Sequence, residues 1–434
     1  MSELSFDAID WIGSAYGDEA ARATMGSLRI TVGEGLKVTV TEVEDTLSQS
    51  VRLHINVPLV SVAEWLVMNW WRLRWEGKPT NPTTKWHQAH CLSGIGGDDA
   101  WPALELSSDG EFIQLRMEAE AAADVSTIRY LRSVSLEIPA PDFEAAVERF
   151  VDVVEARLAL RLPQYRALSE LRAELGGERR LVSVAKTCRW QALAGIDPGD
   201  ATEAWLEAAQ SLVDEVGATA GDEVMSVLLD LDQGLTSAAR IVEAMKQSTT
   251  TVDLSGAAPD ASPAARELPW QRGARLAGEM RRRHGLGTDV LPSKKLSELL
   301  STHLPLRGEP SAMALGGGFR NGVADGRTKI IWKSRRLETQ RFYLARMIGA
   351  AHVLAPDQHL VPVTERGTAL QKLERSFAQE FLCPWAAIDA FTDEHGLDDE
   401  VLVDAAQHFQ VSEYVVRSTL VNRGKVSRNR LPQG

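Results

Sequence analysis

Gln340 to His352 reads QRFYLARMIGAAH, and Leu373 to Pro384 reads LERSFAQEFLCP. Both stretches read as helices, and the first carries two arginines in an otherwise largely apolar run. Arg346 holds a fixed positive charge and offers no lone pair to a metal. Met347 cannot accept a proton from water, and Ala350 has no ligand atom. A buried, unpaired guanidinium is strongly penalised, so Arg346 must reach solvent, pair with a carboxylate or bind a ligand. Glu374 and Glu380 on the second stretch are the candidates for pairing. His352, six residues after Arg346, faces elsewhere on a 3.6-residue helix.

The chain around these stretches has 434 residues, room for roughly two to four domains with their own cores. No apolar run reaches the ~20 residues that span a bilayer. The N-terminus, MSELSFDAIDWIG, has acidic residues and no basic n-region, which argues against a signal peptide. Cys91, Cys188 and Cys383 are far apart and form no CxxC pair, as expected of reduced, packed thiols in a cytoplasmic protein. The net charge of −13 argues against a general nucleic-acid binder, whose affinity rests on a basic surface.

Residues 1–140 read as an α+β domain. LRITV, LKVTVTEV, SVRLHINVPL, FIQLRMEA and YLRSVSLEI carry the β-branched strand signal between turn segments. Ser61 to Glu76, SVAEWLVMNWWRLRWE, reads as one helix with Ser61 as N-cap and Glu64 completing a capping box. Trp65, Trp70, Trp71 and Trp75 cover more than one stripe of it, as in a helix buried between layers; an aromatic docking surface is the alternative. KWHQAHCLSGIGG groups His87, His90 and Cys91, types that bind zinc, but the spacing lacks a distant partner pair and favours a packed loop. Residues 141–246 read as a helical domain from apolar positions at helical spacing, among them Phe143, Val147, Phe150 and Val154. Residues 247–268, rich in Ser, Thr, Ala and Pro, read as an extended or partly disordered linker. In the last domain, 269–434, MRRRHG reads as a solvated basic helix face, and Gly316-Gly317-Gly318 as a tight turn or bulge between two strands.

The chain closes on DDEVLVDAAQHFQVSEYVVRSTLVNRG, two helices over about 398–424. Ser412 is the N-cap of the second, and Gly424 its terminating glycine. The pair resembles a helix-turn-helix. Used on DNA, it would present Tyr414, Arg417, Ser418, Asn422 and Arg423.

Three segments, in order and at the right spacing, resemble the ImmA/IrrE family of zinc metallopeptidases, over somewhat more than a third of the chain. The family's active-site helix typically reads RFTLAHELGHLLL, and Arg341, Phe342, Leu344, Ala345 and Gly349 stand in its frame. Its next helix reads EANRFAAELLMP, matched by LERSFAQEFLCP, and its last segment, often FGVSxxAVxxRLxxLG, is similar to FQVSEYVVRSTLVNRG. The resemblance places Arg346, Met347 and Ala350 where the family has His, Glu and His, and Leu373 where it has the third ligand, a Glu. Two His at i and i+4 share one zinc, with the Glu between them as general base. With all four replaced, the resemblance implies a degenerate zincin-like domain with no catalytic residues, no metal and no cofactor. A cleft around Arg346, His352, Glu374 and Glu380 would remain, able to take a peptide or helix. The family acts in stress response and on mobile elements by cleaving or controlling a repressor, so a regulatory protein with a protein partner is expected. Two alternatives stay open: a metallo-endopeptidase with displaced ligands such as His352, His359 and Glu374, and a DNA-binding regulator using the last two helices.

Overall fold

The computed structural model describes residues 3–33, 35, 37–121, 127–257, 267–311, 314–320, 327–355 and 357–427. The chain is α+β and divides into two compact units, Met1–Thr202 and Glu203–Gly434. Among the described residues no helix is long and apolar enough to cross a membrane.

The first unit is built on Met25–Gly33, whose Leu28, Ile30 and Val32 are wholly buried. This strand pairs antiparallel with Glu3–Trp11 on one side and with Val38–Thr39 and Ile55–Pro58 on the other. Glu3–Trp11, ELSFDAIDW, is a strand that sequence reading passed over. A second antiparallel sheet runs Val134–Pro139, Phe112–Met117, Glu105–Ser108, and a third joins Ser50–Arg52, Val43–Asp45 and Ile128–Tyr130. The expected Trp helix is two helices, Leu59–Met68 and Trp70–Trp75. Asn69 breaks it, its side-chain amide donating to Trp65 O at 2.9 Å, a local bond that competes with helix continuation. Ser61 is not the N-cap; the helix starts at Leu59 after Pro58, and Glu64 instead accepts from the Tyr165 hydroxyl at 2.5 Å. Trp65, Trp70 and Trp71 are core residues, as the stripe count predicts.

The expected 141–246 helical segment is shared between the two units. Ala140–Arg161, Ala167–Arg180 and Val182–Leu193 close the first unit, with Phe150 5.7 Å from the Phe6 ring. Glu203–Val216, Ala218–Val227 and Leu235–Gln247 open the second. Periodicity tells which face of a helix is covered and says nothing of what covers it; here strands supply much of the cover.

The second unit holds one antiparallel sheet in the order Thr251–Asp253, Arg327–Ile331, Gly316–Arg320, Leu360–Val363. Two expectations change here. The glycine run is an inner strand of the sheet, not a turn: Gly318 pairs with Ile330 on one side and Val361 on the other. A Cβ on Gly318 would lie 2.4 Å from Thr328 Cγ2 and 2.9 Å from Met347 Cε, so the missing side chains let the helix above settle on the sheet. The 247–268 segment is ordered at its start, where Thr251–Asp253 forms the sheet edge; residues 258–266 of it lie outside the described ones. Leu337–Ala351 packs on this sheet, and Pro269–Arg283 and Ala369–Leu382 pack against one another and against that helix. Pro269–Arg283 crosses Ala369–Leu382 so closely that a Cβ on Gly273 would meet Leu373 O at 2.2 Å. Within the MRRRHG run Arg281 is buried, not solvated: it donates to the carbonyls of Gly287, Phe381 and Asp289. Trp385–His395, Asp399–Phe409 and Glu413–Asn422 complete the unit. Ser412 caps the last helix through Val415 N, Gln410 turns the corner in the left-handed region, and Gly424 follows its end with φ +72°.

Candidate functional site

Leu337–Ala351 is buried on nearly every face, which is why its two arginines define the site. Arg341 is wholly buried and donates to Gln410 O at 3.0 Å, Ser293 Oγ at 2.8 Å and Leu291 O at 2.6 Å. Burial draws its pKa down to about 10, so it stays cationic at neutral pH. Arg346 is 5 % exposed. Its guanidinium lies 2.6 Å from Glu374 Oε1, 2.7 Å from Gln371 Oε1 and 3.2 Å from Glu365 Oε1, and it also donates to Thr364 O. Of the two carboxylates expected as partners, Glu374 takes the role. Glu380 accepts from Trp385 N at 3.1 Å instead.

The pairing rests on a further layer. Gln371 turns its amide oxygen to Arg346 and Thr364 N, and its amide nitrogen to Glu223 Oε2 at 3.1 Å. Glu223, on Ala218–Val227, also accepts from Thr368 Oγ1 at 2.8 Å. Burial pushes the Glu223 carboxyl up to about 7 and Glu374 up to about 8, with Arg346 pulling Glu374 back only in part. Glu365 differs. It sits on the bend before Ala369–Leu382 with 69 % of its side chain exposed. Against the opposing effect of burial, Arg346, Arg375 and Lys333 hold it below the ordinary carboxylate range. Sequence reading missed Glu223, Gln371, Glu365 and Lys333. The first is 148 residues from Gln371, and nothing in its local sequence marks it.

The other positions singled out in the helices are apolar packing sites. Met347 lies over the glycine strand, Ala350 is wholly buried, and Leu373 turns its carbonyl toward Gly273. His352 is buried with its ring 5.4 Å from Phe377, and His359 stacks on Phe319 at 5.9 Å. Neither joins Arg346. Among the described residues no group of three or more His, Cys, Asp or Glu is placed to hold a metal ion. In the first unit His87, His90 and Cys91 go to separate partners. His90 stacks on Trp86 and contacts Glu76 Oε2 at 2.9 Å, Cys91 meets Ser93 Oγ at 2.9 Å, and His87 lies 3.6 Å from Glu105. Arg72 bonds the same Glu76 at 2.6 Å, which makes the cluster a closed buried network.

Above Arg346 a groove of about 1090 Å³ runs between Leu337–Ala351, Ala369–Leu382 and the last helix. Aromatic rings line it, among them Trp270, Trp332, Phe342, Tyr343 and Tyr414. Of the five residues expected to face DNA, Tyr414, Ser418, Asn422 and Arg423 line this groove. Arg417 does not: it is held by Asp399 at 2.8 Å and Glu413 at 3.7 Å. Ser418 is buried, accepting from Gln379 Nε2 at 3.0 Å. Comparison of the chain with family models, with curated proteins and with solved structures returns no match.

Proposed function

We propose that this chain is a catalytically inactive, ImmA/IrrE-like pseudo-metallopeptidase that acts as a regulatory or interaction protein in the cytoplasm, in stress response or mobile-element control. The observation that carries the reading is the Arg346–Glu374 pair. Where the resembled family gathers neutral imidazoles and a carboxylate around a dication, this helix places a permanent cation. The cation is fixed by Glu374, Gln371, Glu365 and a carbonyl, so a zinc ion would have to displace a guanidinium from a nearly dry site. The retained groove supports a binding role, since it is floored by Arg346 and walled by aromatic rings. The last helix supports a protein partner over DNA: Tyr414, Ser418, Asn422 and Arg423 line the same groove as Arg346, and Arg417 is held by two carboxylates.

The test is metal analysis of the full chain purified from zinc-supplemented cells, together with a peptidase assay. The reading expects zinc well below stoichiometric and no chelator-sensitive hydrolysis. About one zinc per chain, removable with loss of a peptidase activity, overturns it.

A further inference from the structure

We propose that the groove binds an acidic peptide segment, and that Glu365 occupies the place of that segment's carboxylate while the groove is empty. The inference rests on the binding role argued above and names its chemistry. Three cations converge on one side chain: Arg346 NH1 lies 3.2 Å, Arg375 NH2 3.3 Å and Lys333 Nζ 3.9 Å from the Glu365 carboxylate. The cations are rooted and the carboxylate is not. Arg346 is 5 % exposed and anchored from below by Glu374, and Arg375 is tied to the Arg366 and Thr364 carbonyls at 3.0 and 3.1 Å. Glu365 projects from a bend, 69 % exposed. An incoming carboxylate can therefore replace it while Glu365 swings into solvent, and the cations keep their geometry throughout. Exchange of one carboxylate for another in a preformed site avoids the desolvation that a first charge would cost.

Charge and shape select the ligand. Lys333, Arg346, Lys372, Arg375 and Arg423 face the groove against only Glu338, Glu365 and Glu380, a local excess of cations in a chain of net charge −13. A phosphate backbone would meet those three carboxylates at every step, and the groove would have to neutralise a row of charges. A peptide offers one or two carboxylates beside apolar side chains, which suits a cationic centre flanked by Trp270, Trp332, Phe342 and Tyr414. At about 1090 Å³ the groove exceeds the space that a single drug-sized ligand fills and accommodates several residues of extended or helical chain.

The experiment pans a random decapeptide display library on the full chain and measures the enriched peptide, fluorescein-labelled, by anisotropy. Selected sequences are expected to carry Asp or Glu next to aromatic or aliphatic residues. Replacing that acid by its amide should weaken binding about tenfold or more, as loss of a charge-assisted contact does. Glu365→Ala removes the resident competitor and should tighten binding severalfold. Lys333→Met should weaken it while leaving the melting temperature near that of the parent. A library yielding no binder, or only neutral or basic binders, overturns the proposal, and so does Glu365→Ala that weakens binding or leaves it unchanged. So does displacement of the peptide by a short DNA duplex at comparable concentration. Neutral or basic binders would leave the inactive-peptidase reading standing; stoichiometric zinc would remove that reading independently.

Discussion

Arg346→Ala separates a structural cation from an ornamental one. The substitution removes hydrogen bonds to Glu374, Gln371, Glu365 and Thr364 O from a site where the arginine is 5 % exposed. Removing one partner of a buried pair costs about 3–5 kcal/mol, a large part of a typical domain's stability. For a unit of this size that corresponds to a fall in melting temperature of roughly 6–20 °C. The loss should also depend on pH. At pH 5 Glu374, whose pKa is about 8, is neutral with or without Arg346, so the cost is that of hydrogen bonds and packing. At pH 9 the parent holds an ionised Glu374 against the guanidinium, and the variant must bury that charge alone or take up a proton against the solvent. Each unit of pKa displacement adds about 1.4 kcal/mol. Thermal unfolding by circular dichroism at pH 5, 7 and 9 measures both effects. A melt unchanged at all three would refute the buried pair, and a loss larger at pH 5 than at pH 9 would refute the assignment of Glu374.

Three further expectations follow from the same structure. Glu374 and Glu223 have folded pKa values raised from 4.5 to about 8 and about 7, so they favour the folded state fully below pH 4.5. That contribution is lost progressively as pH rises from 4.5 to the folded values; Glu223→Gln should flatten the stability–pH curve between about pH 4.5 and 7, and an unaltered slope there in urea titrations would count against it. Gly317→Ala would set a Cβ 2.1 Å from Val361 O at φ +127°, and should unfold or displace the inner strand, with a large loss of melting temperature. A stable, soluble variant would contradict the register. Trp71→Ala, in the first unit, should cost about 3–5 kcal/mol as a core truncation does, read by chemical denaturation. Retained stability would return the docking alternative for the Trp cluster.

How much of this was legible depends on the range over which each residue acts. Ser412 and Gly424 were readable because a cap and a terminating glycine act within four residues. The burial of Trp65, Trp70 and Trp71 was readable because four indoles cannot all face water from one short segment. The glycine run was misread as a turn because its reason lies elsewhere in the chain: Met347 and Tyr343 come down on it, and a Cβ on Gly316 would stand 2.7 Å from the Tyr343 hydroxyl. The Trp helix was read as continuous because the break at Asn69 is one side-chain bond to Trp65 O, against which periodicity carries no signal. The Arg346 pairing was legible in kind, since a guanidinium inside an apolar helix demands a carboxylate. Its completion by Glu365 and Gln371 came only with the fold, because the bend at 364–367 brings them round.

The residues that carry the resemblance turn out to have packing tasks of their own. Arg341 closes three acceptors that would otherwise end in the interior without donors, two of them backbone carbonyls at Leu291 and Gln410. It thereby ties the corner between the last two helices to Leu337–Ala351. Gly349 admits the next helix: a Cβ there would lie 2.9 Å from Phe377 Cβ and 3.2 Å from Glu374 Cα. Leu344 and Ala345 are wholly buried. None of these tasks involves a metal, so each is enforced by the cost of a void, a clash or an unmet carbonyl whether or not a zinc is bound. The His, Glu and His of a peptidase helix answer to different physics, since only the metal and its water require them. Where no metal imposes that requirement, position 346 can take any residue whose burial is compensated, and Glu374, the residue after Leu373, compensates an arginine. The polar centre of this helix is thus an arginine held by carboxylates, and it gives the groove above a positive floor.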